Sequence, residues 1–225
     1  MKINIAIDGP SAAGKSTISE LLAQRLNYVH LDTGAMYRCT AMKALQCGIA
    51  LDDEQGVVDM LADTEIRMTP DGTVFLDGKD VTAAIRKDQI SMAASDVSKH
   101  KEVRRVLVER QQKLAAEKGY IMDGRDIGTV VLKDAEVKIY LTASSYARAL
   151  RRMKQNRENG ISDGDLETIQ KEIEARDYQD MHRENSPLTK AEDAVEVDSS
   201  DLTIEETVER IMALALPFIT AEETV

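Results

Sequence analysis

The sequence predicts an α/β fold with a parallel sheet covered by helices on both faces. Three observations carry this expectation. Five short apolar runs, at 3–8, 28–32, 120–124, 137–143 and 194–198, are each too short for a helix and are bounded by Gly, Asp or Ser. Helical periodicity fills the stretches between them, and strands alternating with helices imply parallel pairing. The first run passes directly into GPSAAGKST (9–17), a glycine-rich turn that opens a helix.

That turn contains G-x-x-x-x-G-K-S. Gly9 and Gly14 let the backbone curl until several N–H groups face one centre. Lys15 directs a charge at the outer phosphates of a nucleotide, and Ser16 offers a hydroxyl to Mg²⁺, partly through water. Pro10, Ser11, Ala12, Ala13 and Thr17 complete the cradle. The helix beginning near Lys15 adds its positive end, with Ile18, Leu21, Leu22 and Leu26 as its apolar stripe. A bound nucleoside triphosphate follows; whether the chain is a switch, a motor or a transferase does not. No N-K-x-D is present to read guanine, and the chain is short for a motor.

After the second run comes LDTGAMYR (31–38). Thr33 and Gly34 fall at the strand's carboxyl end, where ligands bind in open α/β sheets, and Arg38 lies one helical turn on. Residues 60–86 break the α/β rhythm. Two strand-like pieces flank Pro70-Asp71-Gly72, and a second turn follows at Asp77-Gly78, which reads as an inserted antiparallel hairpin. After the third run comes DGRDIGT (123–129). Asp123 and Asp126 are candidates to hold Mg²⁺ through water or to read a substrate amino group, and Arg125 to grip a phosphate. The plainer alternative is a tight turn whose Asp residues cap backbone N–H groups.

Arg148, Arg151 and Arg152 follow the fourth run on one expected helix. The polar stretch 155–165, which contains Arg157, reads as a loop or a lid. Arg176, Asp180 and Arg183 are spaced i, i+4, i+7 and are expected to share a helix face. Near the end, Thr203 and Glu206 have capping-box spacing, with Ile204, Val208, Ile211 and Met212 facing inward. TAEETV (220–225) reads as a frayed tail.

Composition narrows the function. The 225 residues carry a formal net charge of −11 and contain no Trp. An acidic, well-solvated surface argues against general nucleic-acid or membrane binding, and the scarcity of aromatics argues against base-stacking platforms. Any anion site must be a local concentration of Arg and Lys. Cys39 and Cys47 are expected to be small core residues in a reducing compartment. No targeting segment and no apolar run of membrane-spanning length is evident, so a cytoplasmic chain is expected. With no long exposed apolar stripe, a monomer is expected.

Taken together, IAIDGPSAAGKST, LDTGAMYR, DGRDIGTVV, VKIYLTAS and ARDYQDMHRENSPL resemble the bacterial cytidylate kinases, members of the nucleoside monophosphate kinase family. The resemblance runs from residue 3 to about 215. It implies a P-loop kinase fold with a five-stranded parallel core (1–40, 99–150 and 168–220). It also implies an inserted nucleotide-binding subdomain with a small antiparallel sheet (about 41–98) and a short lid (about 151–167). The reaction implied is transfer of the γ-phosphoryl group of ATP to CMP or dCMP, with Mg²⁺. By position in the matching motifs, Thr33, Arg38 and Arg125 resemble residues at the acceptor nucleotide and its phosphate. Ser95, Arg104 and Asp126 resemble those that read the cytosine edge. Arg176 and Asp180 resemble the pair at the sugar hydroxyls, and Arg183 a residue at the base or phosphates. Arg152 and Arg157, with Lys15, resemble catalytic charges on the moving phosphoryl group. A phosphate acceptor is already anionic and needs no strong general base, which suits a sequence whose His30, His100 and His182 are scattered. A uridylate or small-metabolite kinase on the same fold, and a non-enzymatic nucleotide switch, are the competing readings.

Overall fold

The computed structural model describes residues 2–69, 71–158 and 164–219. Pro70 of the hairpin turn, 159–163 of the lid stretch and the tail 220–225 lie outside the described residues. In chain order the elements are β1 (Ile5–Asp8), α1 (Lys15–Leu26), β2 (Val29–Asp32), α2 (Thr33–Gln46) and α3 (Glu54–Ala62). Then come β3 (Ile66–Met68), β4 (Val74–Leu76), β5 (Lys79–Asp80), α4 (Asp88–Val97) and α5 (Lys101–Ala115). The last are β6 (Tyr120–Gly124), β7 (Val137–Thr142), α6 (Ser145–Glu158), α7 (Leu166–His182), β8 (Val195–Asp198) and α8 (Ile204–Ile219). A π-helical turn, Ile127–Val131, follows β6.

The principal sheet is parallel, in the order β2-β6-β1-β7-β8, as the five apolar runs predict. The chain divides into two compact units, residues 1–28 with 118–225, and residues 29–117.

In the first unit, β1 is central. Its register pairs Ile5 with Ile121 and Val137, and Asp8 with Gly124 and Tyr140. Ile3, Ile5, Ile7, Ile121, Ile139 and Leu141 are fully buried, and Ile18 and Leu22 of α1 and Val208 and Ile211 of α8 pack into the same core. Each such side chain contributes roughly 1.5–3 kcal/mol relative to exposure. The runs of β1, β6 and β7 are continuous rather than alternating because these strands are buried on both faces, whereas β8, at the end of the sheet order, buries only Val197. The parallel register delivers the segments after β1 and β6 to the same sheet edge, at the carboxyl ends. The capping box at α8 forms, with Glu206 N–H donating to Thr203 Oγ1 and Thr203 N–H to Glu206 Oε2. Ile204, expected inward, is exposed, because the helix opens at that residue and the buried face begins with Thr207 and Val208.

In the second unit, β3-β4-β5 form a small antiparallel sheet rather than a two-stranded hairpin. The Asp77-Gly78 turn folds two further residues back onto β4, and Val74, Leu76, Val81 and Ile85 pack on Ala35 and Cys39 of α2. Cys39 is buried as expected. Cys47 is exposed, because α2 ends at Gln46 and its cap projects to solvent.

Candidate active site

In the first unit, the loop after β1 has the geometry of an anion cradle. Gly9 has φ 153°, and a Cβ there would meet Leu141 O at 2.0 Å, so no other residue fits. Gly14 caps α1 in the left-handed region with φ 93°. It has no side chain to cap the helix, and the first turn carries no acidic residue. The orphan N–H groups of that turn and the helix's positive end therefore suit an anion. Lys15 is buried, and its Nζ donates to Gly9 O and Pro10 O at 2.8 Å each. Burial first, then the nearby Arg125 charge, pull its pKa down to about 7. Ser16 Oγ donates to Asp123 Oδ2 at 3.0 Å, joining the loop to the end of β6.

The segment after β6 carries Arg125 and Asp126. Arg125 Nε donates to Asp180 Oδ2 at 2.7 Å. Burial raises the Asp180 pKa, but Arg125, followed by Arg176 and Arg183, outweighs it and holds the group below the usual carboxylate range. Asp180 of α7 is thus the centre of three guanidinium groups. Arg183 lies 3.9 Å from Asp126 and donates from Nε to Ser186 O. It does not continue the α7 face, as its spacing suggests. The helix ends at His182, and Arg183 is its extended cap with ψ 144°.

The arginines of α6 separate. Arg148 is buried and structural: it donates to Ala143 O and Ser11 O at 2.9 Å and pairs with Asp177 of α7 at 2.5 Å. Asp177 also accepts from Ser11 N–H at 3.0 Å, so both backbone groups of Ser11 are clamped. Arg151 binds Ala13 O and Ser199. Arg152 keeps a buried Nε with no partner among the described residues. Arg157 is exposed, lies against Met153, and sits about 140° around the helix from Arg152. Helix α6 continues through Glu158 where the sequence suggests a loop, and Asp165 caps α7 by accepting from Thr168 N–H.

The sequence reading missed Asp8. It is buried, and its two oxygens accept from Ile127 N–H and Gly128 N–H, both at 2.7 Å. Burial, only partly offset by these two bonds, raises its pKa to about 6. The turn is indeed capped by an Asp, but by this distant one.

The second unit carries the remaining candidates. Thr33 is buried at the start of α2. Asp32 caps that helix by accepting from Ala35 N–H and holds Arg38 Nη2 at 2.5 Å. Gly34 leaves room for the arginine, since a Cβ there would meet Asp32 Oδ1 at 3.0 Å and Arg38 Nη1 at 3.3 Å. Arg104 of α5 is buried, donates to Ser98 O at 3.3 Å, and lies 5.4 Å over the Tyr37 ring. Ser95 is half-buried on α4, and its carbonyl accepts from Ser98 Oγ. Ser98 therefore links Ser95 and Arg104. His100 contacts Leu51 O, and His182 contacts Tyr178 O.

Among the described residues, no helix is long and apolar enough to cross a membrane, and no group of three or more His, Cys, Asp or Glu could hold a metal. The sequence model of the cytidylate kinase family matches residues 5–216. The chain is 53% identical over 216 residues to the cytidylate kinase of Caldicellulosiruptor bescii, covering 95% of each. It is 51% identical over 216 residues to that of Geobacillus thermodenitrificans, covering 95% of this chain and 96% of the other. Among solved structures, shikimate kinase from Bacteroides thetaiotaomicron shares the fold, with TM-score 0.52 at 11% identity, covering 96% of this chain and 99% of the other.

Proposed function

The chain belongs to the cytidylate kinase family, and from that premise we propose how its residues carry out the reaction. The enzyme phosphorylates CMP at the expense of ATP. The observation that carries the site assignment is the group of cations (Lys15, Arg125, Arg176, Arg183) interleaved with Asp123, Asp126 and Asp180 beside the phosphate-binding loop. A transferase between two phosphorylated substrates must offset the repulsion of two anions; a switch needs only one anion site.

In this reading the loop 9–17 and the first turn of α1 hold the triphosphate of ATP, and Lys15 leaves the Gly9 and Pro10 carbonyls for its outer phosphates. Arg125 and Arg38 grip the acceptor phosphate, near Thr33. Asp126 accepts from the cytosine amine, while Arg104 and Ser95 donate to the ring nitrogen and carbonyl. Uracil presents a carbonyl where cytosine has its amine, so Asp126 disfavours UMP. Arg176 and Asp180 take the sugar hydroxyls, dCMP being the second acceptor, and Arg183 serves the base or phosphates. Of the α6 arginines, Arg152 with its unsatisfied Nε is better placed than Arg157 to meet the moving phosphoryl group.

Ser16 and Asp123 form a hard-oxygen pair of the kind Mg²⁺ prefers. When bound there, the ion would neutralise phosphate charge. The acceptor oxygen attacks as an anion, so these residues act by alignment and charge neutralisation, without a general base. The two free thiols fit a reducing cytoplasm, and the protein acts as a monomer on free nucleotides.

Asp126→Asn tests the base assignment. The expected result is a fall of tenfold or more in the ratio of kcat/KM for CMP over UMP. An unchanged ratio removes Asp126 from the base site.

A further inference from the structure

We propose that Asp8 is a positioning residue for the acceptor nucleotide: it pins the π-helical turn after β6 to the end of the central strand and so fixes Arg125 and Asp126. This rests on the acceptor-site reading above. Asp8 is the last residue of β1 and immediately precedes the phosphate loop, so a role toward ATP or as counter-ion to Lys15 is the first alternative. The contacts point elsewhere. Lys15 Nζ is satisfied by Gly9 O and Pro10 O. Both Asp8 oxygens are committed to the consecutive amides of Ile127 and Gly128.

Those amides need an outside acceptor. Within the turn, Val130 and Val131 N–H donate to Asp126 O and Leu132 N–H to Ile127 O. The first N–H groups of any helical turn lie ahead of its internal acceptors. Asp8 supplies the missing acceptors for two of them across a sequence separation of 119 and 120 residues. π-turns of this kind recur at functional sites. Here the turn starts one residue after Asp126 and two after Arg125. A shift of the turn therefore displaces both side chains together.

The chemistry requires a carboxylate. Two amide donors need two acceptor oxygens, and Asn has only one, its NH₂ opposing the second N–H. Space is also restricted. A Cβ on Gly128 would meet Lys138 Cδ at 3.2 Å, tighter than an ordinary contact, and would touch Asp8 Oδ2 at 3.4 Å, so Gly128→Ala shifts the turn chiefly through Lys138 while leaving the carboxylate in place.

Steady-state kinetics of the full-length D8N enzyme with ATP and CMP, together with calorimetric ATP binding, test this. The expected result is a KM for CMP raised about tenfold or more, since small misplacements of positioning groups have large effects. The ATP dissociation constant should stay within about twofold. Gly128→Ala should show the same pattern more mildly, and it decides the matter if D8N does not fold. An unchanged KM for CMP overturns the proposal, as does an equal weakening of ATP and CMP, which would mark a structural role or one in the donor loop. Asp126→Asn, run in parallel, separates the two claims: if it leaves CMP over UMP discrimination intact, the base reading fails, whereas the KM of D8N for CMP judges the positioning role.

Discussion

The clamp between the phosphate loop and helices α6 and α7 gives the most quantitative expectation. Arg148 and Asp177 are 6% and 7% exposed and pair at 2.5 Å. Asp177→Ala leaves a buried guanidinium facing two carbonyls and strips Ser11 N–H of its acceptor. Breaking a buried ion pair from one side costs about 3–5 kcal/mol. For a chain of 225 residues, an unfolding entropy of about 2.1 cal/mol/K per residue sums to about 0.47 kcal/mol/K. The expected fall in Tm is therefore about 6–11 °C, read by circular dichroism at constant pH. Removing both charges with Arg148→Met and Asp177→Leu should recover at least half of that loss, because no uncompensated charge remains. A fall under about 2 °C for the single variant, or a double variant less stable than the single, would refute the claim that Arg148 is structural.

Lys15→Ala should lower kcat about a hundred- to thousandfold while leaving the fold intact, checked by turnover and melting together. Because burial depresses the Lys15 pKa from 10.5 to about 7, its contribution to stability is present above the unfolded value and is lost as pH falls through 7. The variant should thus gain Tm relative to wild type at pH 6 compared with pH 8. The same shift means that at pH 8 about nine tenths of unliganded Lys15 is neutral. ATP binding should then take up close to one proton at pH 8 and progressively less towards pH 6, measured by calorimetry in buffers of differing ionisation enthalpy. Burial pushes the Cys39 thiol up to about 12, whereas Cys47 is exposed, so one thiol of the native protein should react quickly with a disulfide reagent and the second only after unfolding.

The parts of the molecule legible in sequence were those with local causes. All five strands of the main sheet appear within a residue or two of their apolar runs, and burial on both faces leaves the pattern uninterrupted in β1, β6 and β7. The loop was legible because Gly9 and Gly14 both take a positive φ that favours glycine, although Leu141 O also crowds Gly9. Strand β5 was not, since Lys79–Asp80 is two exposed residues whose strand character comes from pairing with β4. Among the arginines, residue type did not separate Arg148 from Arg152, which are four apart on one helix. What separates them is Asp177, 29 residues away, and the Ser11 carbonyl, 137 residues away. The function of Asp8 is set by amides beyond residue 126. Its position before the loop gave only a weak signal, a lone carboxylate ending a fully apolar strand.

The proposed selection of cytosine through Asp126, Arg104 and Ser95 is decided by coupled ADP release with Mg-ATP and each of CMP, dCMP, UMP, AMP and GMP, alongside a control without acceptor. Strong turnover with CMP and dCMP, and little with UMP, is the expected result. Turnover with UMP equal to that with CMP would contradict the cytosine site, and ADP release independent of any acceptor would contradict the acceptor pocket itself.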